Sequence, residues 1–219
     1  MNTPRFFQLH HEDRDAVRQE LLAGLLATPA RTSPKYLYDA LGSRLFEAIT
    51  ALPEYYPTRT EAAILAAQGA ALAACLPRGA TLIDLGAGNC AKAASLFDLL
   101  APARYVAVDI SVDFLRDALQ TLQYRYPALD MVGVGLDFST GLALPGTLDD
   151  AAAPRVLFYP GSSIGNFTPV QALGFLRSVH AACGPAPGSG LLIGVDLVKD
   201  TAELEAAYDD ALGVTAAFN

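Results

Sequence analysis

Basic charge is scarce in this chain. Its 15 lysines and arginines stand against 23 aspartates and glutamates, a net charge of -8. A general phosphate-backbone binder needs a basic surface, so nucleic acid is not an expected partner. Cysteine is scarcer still, and Cys75, Cys90 and Cys183 are odd in number and far apart. That argues against a disulfide scaffold or a zinc site and fits a reducing cytoplasm. His10 and His11 are adjacent in a charged segment, and without further ligands at suitable spacing they read as solvated, so no metal is expected. Long apolar runs are missing too: none approaches the roughly 20 residues that cross a bilayer. The opening "MNTPRFFQLHHEDRDAVRQE" is too polar for a signal peptide. A cytoplasmic protein is the expectation.

Apolar material is abundant by contrast. The 219 residues are 52% hydrophobic and 17% charged. That is enough for a substantial core in one large domain, or one domain with an appendage. The pattern changes near residue 80. Before it, "RDAVRQELLAGLLA", "DALGSRLFEAIT" and "TRTEAAILAAQGAALAACL" carry apolar residues at helical spacing. Thr58 and Glu61 stand in capping-box spacing at the head of the last of these, and Pro53 and Pro57 stiffen the loop that enters it. After residue 80, "ATLIDLG", "RYVAVDI", "DMVGVGLDF", "RVLFYPG" and "GLLIGVDL" are apolar at nearly every position, as in strands of a parallel sheet covered on both faces. Between them "AKAASLFDLLA", "SVDFLRDALQTLQYRY" and "TPVQALGFLRSVHAAC" read as helices, the last with Thr168 as N-cap and Pro169 at the first helical position. Alternation of this kind predicts a doubly wound α/β sheet over 80–219 behind an N-terminal helical region over 1–79.

The first strand ends in "DLGAGNCAK", where Gly86 and Gly88 predict a tight turn that lets backbone approach a ligand. The third glycine of the dinucleotide fingerprint is absent, which weakens an NAD reading. Asp109 ends the second strand, placed to accept ribose hydroxyls. Asp137 ends the third, placed to accept from an adenine amino group, with Phe138 as an apolar neighbour. No basic phosphate cradle accompanies these acids, so the implied ligand is an adenosine without phosphates. Lys92, just after the glycines, is either a partner for a ligand carboxylate or an ordinary surface lysine. Any one of the aspartates could instead simply cap the segment that follows it. Three strand ends together resemble a class I S-adenosylmethionine (SAM) methyltransferase, a Rossmann-like fold. Cys90, beside this turn, reads as a small buried hydrophobe rather than a reactive thiol.

In chain order, "YDALGSRLFEAITALPEYYPTRTE", "LIDLGAGNCAKA", "YVAVDIS", "LDFS", "FYPGSSIGNF" and "AYDDALGVTAAFN" resemble the histidine-specific, SAM-dependent methyltransferase family of ergothioneine biosynthesis. The resemblance implies transfer of methyl groups from SAM to the α-amino group of L-histidine, giving trimethylhistidine (hercynine) and S-adenosylhomocysteine. It also implies that the region before residue 80 folds over the substrate. By motif, Tyr55 touches the amino acid, Asn166 meets its amino and carboxylate end, Tyr208 is a third contact and Tyr38 lies in the surroundings. Read without the family, each has a plainer role. Tyr55 and Tyr38 could be packing residues, Asn166 could serve a strand-to-helix turn, and Tyr208 has helical spacing to Leu204 and Leu212 that fits a core position.

The family pattern continues beyond Asn219, into strands that close the sheet and into an acidic and a hydroxyl side chain that grip the imidazole. The expectation is therefore a truncated chain, with a nearly whole adenosine site, an incomplete histidine side-chain site and an open sheet edge available for self-association. Three rivals remain at this stage: a methyltransferase for another amino acid or small amine, a non-catalytic SAM-binding protein and, least favoured, an NAD-dependent oxidoreductase.

Overall fold

The computed structural model describes residues 2–11, 13–110, 112–148 and 152–219. Six parallel strands form one sheet: β1 (Arg5–Gln8), β2 (Thr81–Leu85), β3 (Arg104–Asp109), β4 (Asp130–Gly135), β5 (Arg155–Tyr159) and β6 (Gly190–Ile193), in spatial order β1-β4-β3-β2-β5-β6. The last five are the strands expected from their continuous apolar runs. Their side chains alternate between two separate cores. Leu82, Tyr105, Ala107, Met131, Val156 and Phe158 face one, and Ile83, Val106, Val108, Val132, Leu157 and Tyr159 the other. Both faces are covered, which is why the strands show no polar alternation.

Among the described residues, six longer helices and three single-turn ones surround the sheet: α1 (Arg14–Leu25), α2 (Ala40–Thr50), α3 (Tyr56–Cys75), α4 (Ala91–Ala94), α5 (Phe97–Leu100), α6 (Val112–Arg125), α7 (Pro169–Cys183), α8 (Thr201–Tyr208) and α9 (Val214–Phe218). On one face α6 inserts Leu115, Leu119 and Leu122, α5 inserts Phe97 and Leu100, and α3 adds Leu65. On the other α7 inserts Phe175, Val179 and Cys183. Thr168 caps α7 as expected, in a capping box closed by Gln171. A third, small core of Ile49, Leu52 and Tyr55 packs against Phe46, Val214 and Phe218, joining α2 and the loop after it to α9. Asp210 holds α9 in place by accepting from the Val214 and Thr215 N–H groups at 3.0 and 2.7 Å.

Three expectations need correction. The strand β1 was not read from "RFFQ", yet it pairs with β4 along the edge opposite β6. The segment "AKAASLFDLLA" is not one helix but α4 and α5, broken at Ser95 and Leu96. The capping box at Thr58 and Glu61 does not form. Helix α3 begins earlier, at Tyr56, with Pro57 in its first turn, and Tyr55 stands at the cap without a side-chain cap bond. Pro57 lacks an N–H that would have needed a partner there, so it fits within the first turn and the helix starts just before it rather than after it. Glu61 is thereby freed for a different partner.

Candidate active site

In a parallel sheet all strands end on the same rim, so the turns after β2, β3, β4 and β5 converge. After β2 the chain turns through Gly86 (φ +75°), Gly88 (φ +53°) and Cys90 (φ +60°). A side chain on Gly88 would meet nothing within 4 Å, so the turn leaves open space above it. Asp109, at the end of β3, fixes the turn by accepting from the Gly88 N–H at 2.9 Å. Phe138 lies behind Gly86, its ring edge 3.8 Å from where a Gly86 Cβ would stand, and packs edge-on against Tyr159 with centroids 5.8 Å apart. Cys90 is 0% exposed, and burial pushes its thiol up, so it is a packing group as expected.

Beneath this turn Asp84 is 1% exposed. Its Oδ2 accepts from the Tyr105 hydroxyl at 2.8 Å, while Oδ1 is buried without a hydrogen-bond partner among the described residues. Burial pushes its pKa up to about 7, against the Tyr105 hydrogen bond and with help from the neighbouring Asp109 charge. Asp137 is held the other way. Burial alone would raise it, but hydrogen bonds from Ser139 and the ammonium of Lys35 at 3.2 Å outweigh this and keep the carboxyl below its ordinary value. Lys35 also pairs with Glu20 at 2.9 Å.

The tyrosines expected at the substrate form a cluster beside the rim. Tyr55 is 6% exposed and stands edge-on to Tyr208 (5.7 Å) and Phe46 (6.1 Å). Tyr38 packs edge-on to Phe46 (5.4 Å) and Phe218 (5.3 Å). Burial, then the charge of Asp109 and then Tyr208, push the Tyr38 phenol up to about 12, and burial pushes Tyr55 up further. Both stay neutral hydroxyls at ordinary pH. Tyr208 is 55% exposed and Leu212 lies on the surface, so the helical spacing that suggested a core position does not produce one. Asn166 ends a single 3-10 turn (Ser163–Asn166) after β5, exposed, with no hydrogen bond to the tyrosine cluster among the described residues.

Three residues that matter here were missed or misread. Glu61 reaches from α3 to accept from the Gly161 N–H at 2.7 Å and forms an ion pair with Lys92 on α4. The fit is close: a side chain on Gly194 would come within 2.3 Å of Glu61 Oε1. Lys35 latches the helical region onto Asp137. Tyr56, the second phenol of "EYYPTR", donates to Asp196 and accepts from Lys199 at 2.8 Å, tying α3 to the segment after β6. The remaining cation of the motif, Arg59, donates to the carbonyls of Leu52 (2.6 Å), Pro53 and Tyr55 (3.3 Å). The proximity of "EYYPTRTE" to "DLVKD" and to the glycine turn exists only in the folded chain.

A family model described as histidine-specific methyltransferase, SAM-dependent, matches residues 17–219. The chain belongs to the histidine-specific methyltransferase family. A histidine N-alpha-methyltransferase of Mycolicibacterium smegmatis is 44% identical over 209 residues, covering 94% of this chain and 63% of that protein. One from Mycobacterium tuberculosis is 40% identical over 208 residues, covering 93% and 63%. The chain thus spans less than two thirds of the length of these relatives. Among solved structures, a magnesium protoporphyrin IX methyltransferase of Synechocystis with bound SAM superposes with a TM-score of 0.50 over 82% of this chain and 86% of that one, at 12% identity. That likeness concerns the fold, and it bears out the class I methyltransferase sheet expected from the alternating strands and their acid-bearing ends.

The residues at the rim suit the family's methyl donor. The open turn over Gly88 admits backbone-close approach, and the acids at the ends of β3 and β4 could accept from an adenosine. Lys92, in the first turn of α4, could meet a carboxylate. No helix among the described residues is long and apolar enough to cross a membrane.

Proposed function

We propose that this chain carries the methyl-transfer centre of a histidine Nα-methyltransferase, which converts L-histidine to trimethylhistidine (hercynine) with S-adenosylhomocysteine as by-product. The observation that carries this reading is the placement of Tyr38, Tyr55 and Tyr208 in one cluster beside the strand ends that bear Asp109 and Asp137. Gly86, Gly88, Asp109, Asp137, Phe138 and Lys92 serve the cofactor, and Tyr55, Asn166, Tyr208 and Tyr38 the amino acid. The helices of the region over 1–79 act as the cover of the α/β domain over 80–219, whose sheet β1 joins from that region.

The lone pair of the histidine amine attacks the methyl carbon in line. When bound, SAM would supply the methyl group, its sulfur keeping the electron pair of the broken carbon–sulfur bond, and the proton of the new ammonium would leave to water. Alignment is the main requirement. Free α-amines are largely protonated at neutral pH, so groups that orient the neutral form without trapping the charged one are useful. Neutral phenols, and an Asn166 amide that accepts from the amine and donates to the carboxylate, meet that need. The surplus of acidic charge leaves nucleic acid out of the proposal, the cytoplasm is the proposed compartment, and the outer edge of β6 is where any self-association would occur.

The test is calorimetric. The protein saturated with S-adenosylhomocysteine is titrated with L-histidine, beside the Asn166→Ala variant. Heat that vanishes in the variant is the expected result. Cofactor binding with no response to L-histidine, and a response to another amino acid or amine, would overturn the substrate assignment.

A further inference from the structure

Glu61 and Lys92 are the oppositely charged side chains that meet across the glycine turn. Lys92 stands on the first turn of α4, directly after the backbone that faces the cofactor. Glu61 comes from α3, two turns after Tyr55, and its side chain is 16% exposed against 35% for Lys92. Glu61 is the more withdrawn from water and Lys92 stays about a third exposed, so the pair sits at the border of solvent, where a ligand can reach it. The pair is also unsaturated. A carboxylate has roughly four acceptor positions; Glu61 Oε1 takes the Gly161 N–H, while the buried Oε2 meets Lys92 as an ion pair and has no hydrogen-bond partner among the described residues, and an ammonium has three donors. The electrostatic field of the pair reaches both the buried Asp84 below the turn and, from Glu61, the Tyr55 phenol. It therefore lies between the cofactor loop and the tyrosine cluster, where the tail of the methyl donor must pass to bring its sulfonium to the amine.

That tail is an α-amino acid, a zwitterion with one ammonium and one carboxylate on the same carbon. We propose that Glu61 and Lys92 act as a matched pair that reads this zwitterion, Glu61 taking the α-ammonium and Lys92 the α-carboxylate. The inference rests on the SAM-dependent reading of the site and adds Glu61 to it as a cofactor-binding residue. The pair opens just enough to exchange part of its mutual attraction for two charge-assisted bonds to the ligand. Glu61 serves the donor rather than the histidine amine because its partner Lys92 belongs to the cofactor turn. A carboxylate facing the substrate would also hold that amine in its unreactive, charged form.

Calorimetric affinities for three ligands, S-adenosylhomocysteine and its analogues lacking the α-amino or the α-carboxyl group, separate the roles. Glu61→Gln keeps an acceptor for the Gly161 N–H and removes the charge. It should weaken S-adenosylhomocysteine and the decarboxylated analogue by about tenfold or more, and leave the deaminated analogue nearly unchanged. Lys92→Met should show the mirror image, sparing the decarboxylated analogue. Equal weakening of all three ligands by Glu61→Gln would make Glu61 a structural latch and overturn the proposal. So would a loss confined to L-histidine binding, or no loss at all. If the unsubstituted protein failed to bind S-adenosylhomocysteine, the cofactor reading would fall and this inference with it.

Discussion

Strand β3 buries Tyr105, Val106, Ala107 and Val108 to 0% exposure, whereas α1 at the front of the helical cover buries none of its 12 residues. The contrast runs through the molecule. The sheet is held by apolar side chains interleaved on two faces. The cover has a small core of its own at Ile49, Leu52 and Tyr55; α3 also adds Leu65 to one core of the sheet, but at the rim the cover is joined through polar contacts: Lys35 on Asp137, Glu61 on Gly161 and Lys92, Tyr56 on Asp196 and Lys199. Apolar packing is strong and indifferent to direction. Polar latches are weaker but aim side chains at fixed places, which would suit a wall with the ligand-facing roles proposed for Tyr55 and Glu61.

The largest effect that would sharpen this comparison is expected in the sheet. Leu157→Ala, at a fully buried position of β5, should cost about 2–5 kcal/mol and lower the denaturant midpoint of the whole molecule with its slope unchanged. A loss confined to the cover would break the comparison. Next is the pH dependence set by Asp84. A carboxyl whose pKa is raised on folding keeps its proton in the folded chain after the unfolded chain has released it. Stability should therefore fall as pH rises from ~4, the unfolded value, through about 7, by an amount on the order of 4 kcal/mol. Asp84→Asn should flatten that slope in melts taken at pH 5 and 8, and an unchanged slope would contradict it.

Smaller effects belong to the latches. Lys35→Met should remove about 1 kcal/mol, read as faster proteolysis between residues 26 and 39 with little change in the global melt. Because Asp137 is held below its ordinary pKa, its contribution is complete above ~4 and is lost as pH falls through the lower, folded value, so wild type and variant should converge in acid. Smallest is Tyr56→Phe. It should cost under about 1 kcal/mol yet speed amide exchange at residues 194–199, because Asp196 and Lys199 lose the hydroxyl between them. If Tyr56→Phe lowered the global melt as far as Leu157→Ala, cover and sheet would not be separate in the way described.

Strands β2 to β6 were legible because burial on both faces leaves unbroken apolar runs, and the left-handed turn was legible because Gly86 and Gly88 mark it. Strand β1 was not, since an edge strand that is half exposed carries only Phe6 and Phe7 as a signal. The tyrosines could be named from the family motifs but not arranged. Tyr208 had the spacing of a core residue and lies at the surface. Glu61 was misread for a definite reason: Thr58 and Glu61 fit a local capping rule, but Pro57 moved the helix start upstream and left Glu61 to a partner 100 residues away. Local grammar predicts local bonds, and long-range polar partners have no signature along the chain.

Arg59 carries one further consequence. With its guanidinium on the carbonyls of Leu52, Pro53 and Tyr55, the turn that presents Tyr55 is already rigid in the free protein. A ligand arriving there meets a surface whose conformational freedom was surrendered during folding, so little entropy is lost on contact. Association at that wall should then be a single fast step, with no slow rearrangement following it.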